Sequence, residues 1–206
     1  MLEVYTRRYD SQRPVVCMDE KSKQLVHEIC KPIPARPGEV ERCDYEYVRN
    51  GTANLFMMVE PLRGWRNVNV TTRRTKVDFA KQVKELADVH YPAADRITLV
   101  MDNLNTHRLS TLYEAFEPTE ARRLIERFEV VHTPKHGSWL NMAECELSVL
   151  EKQALGARVS DETELRSRVT NWGADRNHRC RRIDWQFRTP DARIKLRRLY
   201  PQIQLN

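Results

Sequence analysis

Three acids stand where carboxylate chemistry on a divalent cation is conceivable. Asp19 ends the apolar run PVVCMDE, Asp102 ends RITLVMD, and Glu144 falls inside HTPKHGSWLNMAECE, residues 132–146. Hard cations such as Mg²⁺ take oxygen ligands, typically a few carboxylates plus substrate phosphate. Two such ions about 4 Å apart would clamp the attacking and leaving oxygens of an in-line phosphoryl displacement. An acid after a strand is often only a turn residue, so the chemistry requires all three to converge.

The third acid follows from helical spacing. Counting about 100° per residue from Leu140, the residues Leu140, Ala143, Leu147, Leu150 and Ala154 form an inner stripe. Glu144 lies on the border of that stripe, about 40° away, whereas Glu146, at about 240°, lies well off it. Glu151 shares the border with Glu144 but sits roughly 10 Å further along the axis.

The neighbouring residues leave alternatives open. Asn103 could orient a carboxylate or cap the following turn, and His107 could meet a phosphate or simply pack. Lys135 and His136 precede a helix start, where the N-terminus favours anions. Trp139 could stack on a base or plug the core.

These residues need elements to position them. PVVCMDE reads as a buried strand, with residues 1–13 before it as a polar lead-in. KPIPARPGEV, with three Pro and one Gly, is a loop. ANLFMMVE and WRNVNVTT flank PLRG as a hairpin. Thr75 and Asp78 form a capping box for a helix with Val77, Ala80, Val83 and Ala87 at helical spacing. RITLVMD is another strand, and Ser110 to Arg127 a helix broken near Pro118. RFEVVHT is a further strand, and one helix begins near Asn141. Another opens at Ser160, Asp161 and Glu162 and turns Leu165, Val169 and Trp172 inward. A hairpin followed by alternating strands and helices predicts an α/β fold, a mixed sheet flanked by helices. Sites in such sheets gather at strand ends. If the first and fourth strands are neighbours, Asp19 and Asp102 converge.

Bulk properties narrow the partner. The chain of 206 residues, 40% hydrophobic and 31% charged, suits one globular domain rather than a disordered segment. Its net charge of +6 and pI near 9.2 point to a polyanion. From Arg166 to Arg198 there are ten Arg and one Lys against Asp175, Asp184 and Asp191. The five cysteines form no CxxC pair, which argues against a zinc knuckle or a disulfide framework and fits reduced thiols in the cytoplasm. No signal peptide or membrane-length apolar run is present, so no membrane partner is expected.

Taken together, RPVVCMDE, DYEYVRNGTANLFM, VMDNLNTH, HTPKHGSWLNMAECE and IDWQFRTPDARIKLRRLYP resemble a transposase catalytic domain of the DDE type. More narrowly, they resemble the bacterial insertion-sequence branch (the IS-six-thirty group) of the mariner superfamily. The matching pieces run from about Arg13 to Pro201 in the family's order. The resemblance implies an RNase H-like fold over residues 14–206, with a basic C-terminal segment. The family's three metal-binding catalytic acids fall on Asp19, Asp102 and Glu144, holding Mg²⁺ or Mn²⁺, two ions. Forty-two positions separate Asp102 from Glu144, more than in eukaryotic mariner relatives, and the intervening sequence reads as extra helix. Implied partners are double-stranded DNA, both transposon ends and target, and a second copy in a homodimeric synaptic complex. A bacterial, nucleoid-associated protein is implied.

Family members usually carry helix-turn-helix modules ahead of this domain. No Ser/Thr-capped helix pair precedes Asp19, so the sequence is expected to be a catalytic fragment or a truncated gene's product that reads terminal sequence poorly.

Three functions follow as expectations. The first is metal-dependent strand cleavage and strand transfer, cut-and-paste movement into TA dinucleotides. Its expected DNA contacts are Arg73, Arg74, His107, Lys135, His136, Trp139, Asn141 and the Arg166–Arg198 segment. The second is a remnant that binds DNA without transposing, and the third a nuclease acting on RNA–DNA hybrids, since fold alone does not fix function.

Overall fold

A long first strand, β1 (Val15–Glu28), is the spine of the sheet. It pairs antiparallel with β2 (Tyr47–Glu60), and β2 turns back into β3 (Trp65–Thr71). On its other side β1 pairs in parallel with β4 (Ile97–Met101), which pairs in parallel with β5 (Phe128–His132). The order β3-β2-β1-β4-β5 is the expected mixed sheet. The structure, a computed structural model, describes residues 1–30, 33–42, 46–102, 108–135, 137–195 and 197.

Strand alternation splits the core in two. Val16, Met18, Phe56, Met58, Leu99 and Met101 face one way. They are covered by α1 (Lys76–Glu85), α2 (Leu112–Ala115) and α3 (Pro118–Glu126). Cys17, Leu55, Met57, Val59 and Val100 face the other way, under α4 (Met142–Ala154) and α5 (Glu162–His178). The Thr75–Asp78 capping box, Pro118 at the start of α3 and the inward Leu165, Val169 and Trp172 all stand as expected. Asp161 rather than Ser160 caps α5, accepting from the Glu164 amide at 2.8 Å. A short sixth helix, α6 (Thr189–Lys195), lies in the tail.

One expectation is corrected. β1 does not stop at Asp19 or Glu20 but continues through Glu28. Residues 1–13, read as a lead-in, pack on the domain. Val4 is buried in the core, the Tyr5 hydroxyl donates to the Leu140 carbonyl at 2.9 Å, and Arg7 pairs with Glu129 at 3.1 Å. Gly64 closes the turn into β3 at φ +73°, and a Cβ there would stand 2.7 Å from the Cys180 carbonyl carbon. Glycine is needed on both counts.

Candidate active site

The parallel pairing of β1 with β4 brings the first two acids together. Val15–Cys17 pair with Thr98–Val100, and the same register carried two residues on sets Asp19 opposite Asp102. Both follow the alternation of Cys17 and Val100, so they fall on the face that α4 covers. β4 ends at Met101 while β1 runs on, so among the described residues no strand borders that side of β1 beyond Asp19. A cleft of about 450 Å³ occupies the gap. Its walls include Asp19, Lys21, Asp102, Ser138, Glu144 and Glu151.

Glu144 reaches the cleft through the way α4 begins. Asn141 caps the helix: its side-chain oxygen accepts the Ala143 amide at 3.1 Å. Its amide nitrogen donates to the Met18 carbonyl at 2.8 Å. One side chain thus sets the first turn of α4 against the residue before Asp19. Asn141 is fully buried with both ends of its amide occupied, which corrects the expectation that it contacts DNA. It is a positioning residue.

Two of the three carboxylates, Asp19 and Glu144, stand in unfavourable surroundings. Burial, above all, pushes the Asp19 carboxyl up to about 7. The Glu20 amide, 2.8 Å from Asp19 Oδ1, works against that shift, and the charges of Asp102 and Glu144 add to it. Glu144 Oε2 is buried without a hydrogen-bond partner among the described residues. An Asp19 carboxyl held up by burial and by two neighbouring carboxylates, with an orphaned oxygen on Glu144, suits a hard divalent cation. As they stand, no three His, Cys, Asp or Glu side chains among the described residues are drawn together tightly enough to hold an ion. Binding would have to pull them in.

Glu146, two residues further, behaves differently from its expected place off the inner stripe. It is buried, and both oxygens are taken: Arg66 Nε donates at 2.9 Å and Arg176 Nη2 at 2.8 Å. Arg66, itself buried, also donates to the carbonyls of Gly64 at 2.9 Å and Arg181 at 2.6 Å. Burial lowers its pKa, with Glu146 opposing that shift, and a guanidinium stays charged. This cluster ties α4 and α5 to β3.

The remaining expected residues divide. Arg73 and Arg74 are exposed beyond the end of β3, two strands from β1, and do not line the cleft. Lys135 is exposed in the turn before α4. Trp139 neither plugs the core nor lines the cleft. It is 38% exposed, 5.3 Å from the Phe187 ring, with Lys195 over it at 6.0 Å. Asn103, His107, His136 and Arg198 lie outside the described residues. Within the basic segment, Arg166, Arg168, Arg176 and Arg179 are committed to Glu162, Glu164, Glu146 and Asp175, while Arg181, Arg182, Arg188 and Arg193 are exposed. Cys17, Cys145 and Cys180 are free thiols, and Cys43 lies outside the described residues. No helix among the described residues is long and apolar enough to cross a membrane. Lys21 and Lys23 were not expected at the site. Their alternation with Asp19 was the available signal, hidden because KSKQ looks like a polar turn.

Comparison with known proteins bears on the family and the fold. The family described as "DDE superfamily endonuclease" matches residues 14–166. No curated protein sequence matches the chain. Similar folds occur in the Mos1 mariner paired end complex with Mn, at 16% identity and TM-score 0.54, covering 87% of this chain and 56% of that chain. The Mos1 Strand Transfer Complex is similar at 14% identity and TM-score 0.56, covering 90% of this chain and 59% of that chain. A pre-cleavage Mos1 transpososome gives 14% identity and TM-score 0.55, over 90% of this chain and 60% of that chain. The chain therefore spans less than two thirds of these proteins' length, and the likeness is one of fold.

Proposed function

The chain belongs to the DDE superfamily endonucleases, and we propose that it is the catalytic domain of a mariner-superfamily transposase, of the bacterial insertion-sequence branch. Its substrate in this reading is double-stranded DNA, both element ends and a TA target, handled by a homodimer. The observation that carries the reading is the placement of Asp19, Asp102 and Glu144 on one cleft, with Glu144 Oε2 buried and lacking a donor.

The three carboxylates would hold Mg²⁺ or Mn²⁺, two ions. When bound, divalent ions supply Lewis acidity, offsetting charge on the attacking and leaving oxygens of an in-line displacement. The chain's own residues set the geometry. The Glu20 amide fixes the rotation of the Asp19 carboxylate, and Asn141 fixes the distance of Glu144's helix turn from β1. In the first step the oxygen of water bonds to phosphorus and the bond from phosphorus to the 3′ oxygen breaks, leaving a 3′-hydroxyl. In the second, that hydroxyl attacks a target phosphodiester and displaces its 3′ oxygen. Lys135, Trp139, Arg73, Arg74 and the exposed arginines of the tail are the proposed backbone contacts, which seat a duplex without reading its sequence. His107 and His136 remain part of the proposal on sequence alone.

A second reading, a domain that holds DNA without cutting it, is favoured by the carboxylates not standing at ligand spacing. Nicking of supercoiled plasmid with Mn²⁺ separates the two. Nicking by the wild type, lost in Glu144→Gln and Asp102→Asn, is the expected result. DNA retardation with steep salt dependence and no nicking in any form would overturn the catalytic reading.

A further inference from the structure

The cleft has a second half that the carboxylate trio does not use. β1 carries Lys21 and Lys23 on the same face as Asp19, about 7 Å and 13 Å further along the strand. α4 runs beside them in the same direction, since Asn141 meets Met18 at one end and Lys23 Nζ meets the Leu155 carbonyl at the other, 2.9 Å away. Glu151, roughly 10 Å along the axis from Glu144, receives both lysines.

The two lysines are not equivalent. Lys23 makes a short charged contact with Glu151, and its side chain is only 17% exposed. Lys21 Nζ stands 3.4 Å from Glu151, and its side chain is 45% exposed. Lys23 alone neutralises Glu151, so Lys21 is not required there. Exposed ion pairs contribute about 0–1 kcal/mol, so Lys21 can exchange Glu151 for another anion at little cost. An ammonium on a flexible stem suits phosphate as a point charge. One strand alternation past Asp19 also matches the step between successive phosphates of a nucleic-acid strand. The cleft's acids outnumber its cations, which are Lys21 on β1 and Lys152 near the far end of α4, and Lys21 is the one next to Asp19 along the strand.

We propose that Lys21 is a phosphate subsite, seating the phosphate next to the one at Asp19, Asp102 and Glu144, and that Glu151 occupies this ammonium until a strand displaces it. This rests on the endonuclease reading of the same cleft.

The test compares wild type, Lys21→Ala, Lys21→Arg and Glu151→Gln in plasmid nicking with Mn²⁺ and in salt-dependent DNA retardation. Thermal unfolding of each confirms the fold. Lys21→Ala is expected to raise KM about tenfold with kcat within about twofold, and to reduce the salt slope by about one counterion. Lys21→Arg restores both, and Glu151→Gln tightens DNA binding by freeing the ammonium. A Lys21→Ala protein with wild-type KM and salt slope would overturn the subsite while leaving the endonuclease reading intact. If wild type fails to nick, that reading falls instead, and the salt slopes alone then decide whether Lys21 meets a phosphate.

Discussion

Glu144 and Glu146 stand two residues apart on α4, about 200° around the helix, and the fold treats them in opposite ways. Glu146 has two guanidiniums on its two oxygens and is closed off from water. Glu144 is half-buried at the cleft wall, with one oxygen lacking any donor among the described residues. A buried carboxylate with matched cations holds elements together, and removing one partner strands the others. A carboxylate left short of donors costs stability where it stands, which calls for a reason, and the proposed function supplies one, a bound cation. In the proposed reading the same helix therefore carries a structural acid and a functional one.

The contrast can be broken by substitution, and the largest effect falls on the structural side. Glu146→Ala leaves Arg66 and Arg176 buried without their counter-charge and should cost ~3–5 kcal/mol. In a chain of this size each kcal/mol moves Tm by roughly 2–4 °C, so thermal unfolding should show a fall near ten degrees. A fall of only a degree or two would erase the distinction. On the functional side, Glu144→Gln should leave Tm within a few degrees while nicking drops at least ~10²–10³-fold. A destabilised Glu144→Gln protein would place this acid with Glu146.

Asn141 sharpens the comparison. Asn141→Ala removes both the cap and the tether to Met18 and should cost ~1–2 kcal/mol in thermal unfolding. Nicking kcat should fall more than stability alone explains, because a shift of about 1 Å at a reacting centre can cost ~100-fold. Asn141→Asp keeps the acceptor for Ala143 but loses the donor to Met18. It should therefore restore stability better than kcat if the tether is what positions Glu144. The smallest effect is expected at Asp19. Asp19→Asn relieves a buried carboxylate of two like charges and should raise Tm of the metal-free protein by ~2–4 °C, as about 1 kcal/mol would. Added Mn²⁺ should then stabilise wild type more than this variant.

Much of this was legible in the sequence because the signals were local. The Thr75–Asp78 box, Pro118, the alternating hairpin and the apolar runs ending near Asp19 and Asp102 gave the element order, and helical spacing chose Glu144 over Glu151. What stayed hidden depended on partners distant in the chain. Helical spacing gives Glu146 an angle but not the guanidinium of Arg66, 80 positions away, that buries it. Asn141 is recognisable as a helix start, yet its bond to Met18 spans 123 positions. β1 beyond Glu20 was missed because KSKQ is polar: Lys21 lines the cleft, and the strand returns to the core only at Leu25.

The most direct measurement is Mn²⁺ binding by calorimetry, with wild type beside Glu144→Gln, Asp102→Asn and, as the structural control, Arg176→Lys. Wild type should bind, the two acid variants should lose most of that heat, and Arg176→Lys should bind as wild type does while its Tm falls. Wild type that binds no Mn²⁺ even with DNA present, or acid variants that bind as well as wild type, would contradict the assignment of Asp19, Asp102 and Glu144 as the metal-holding site.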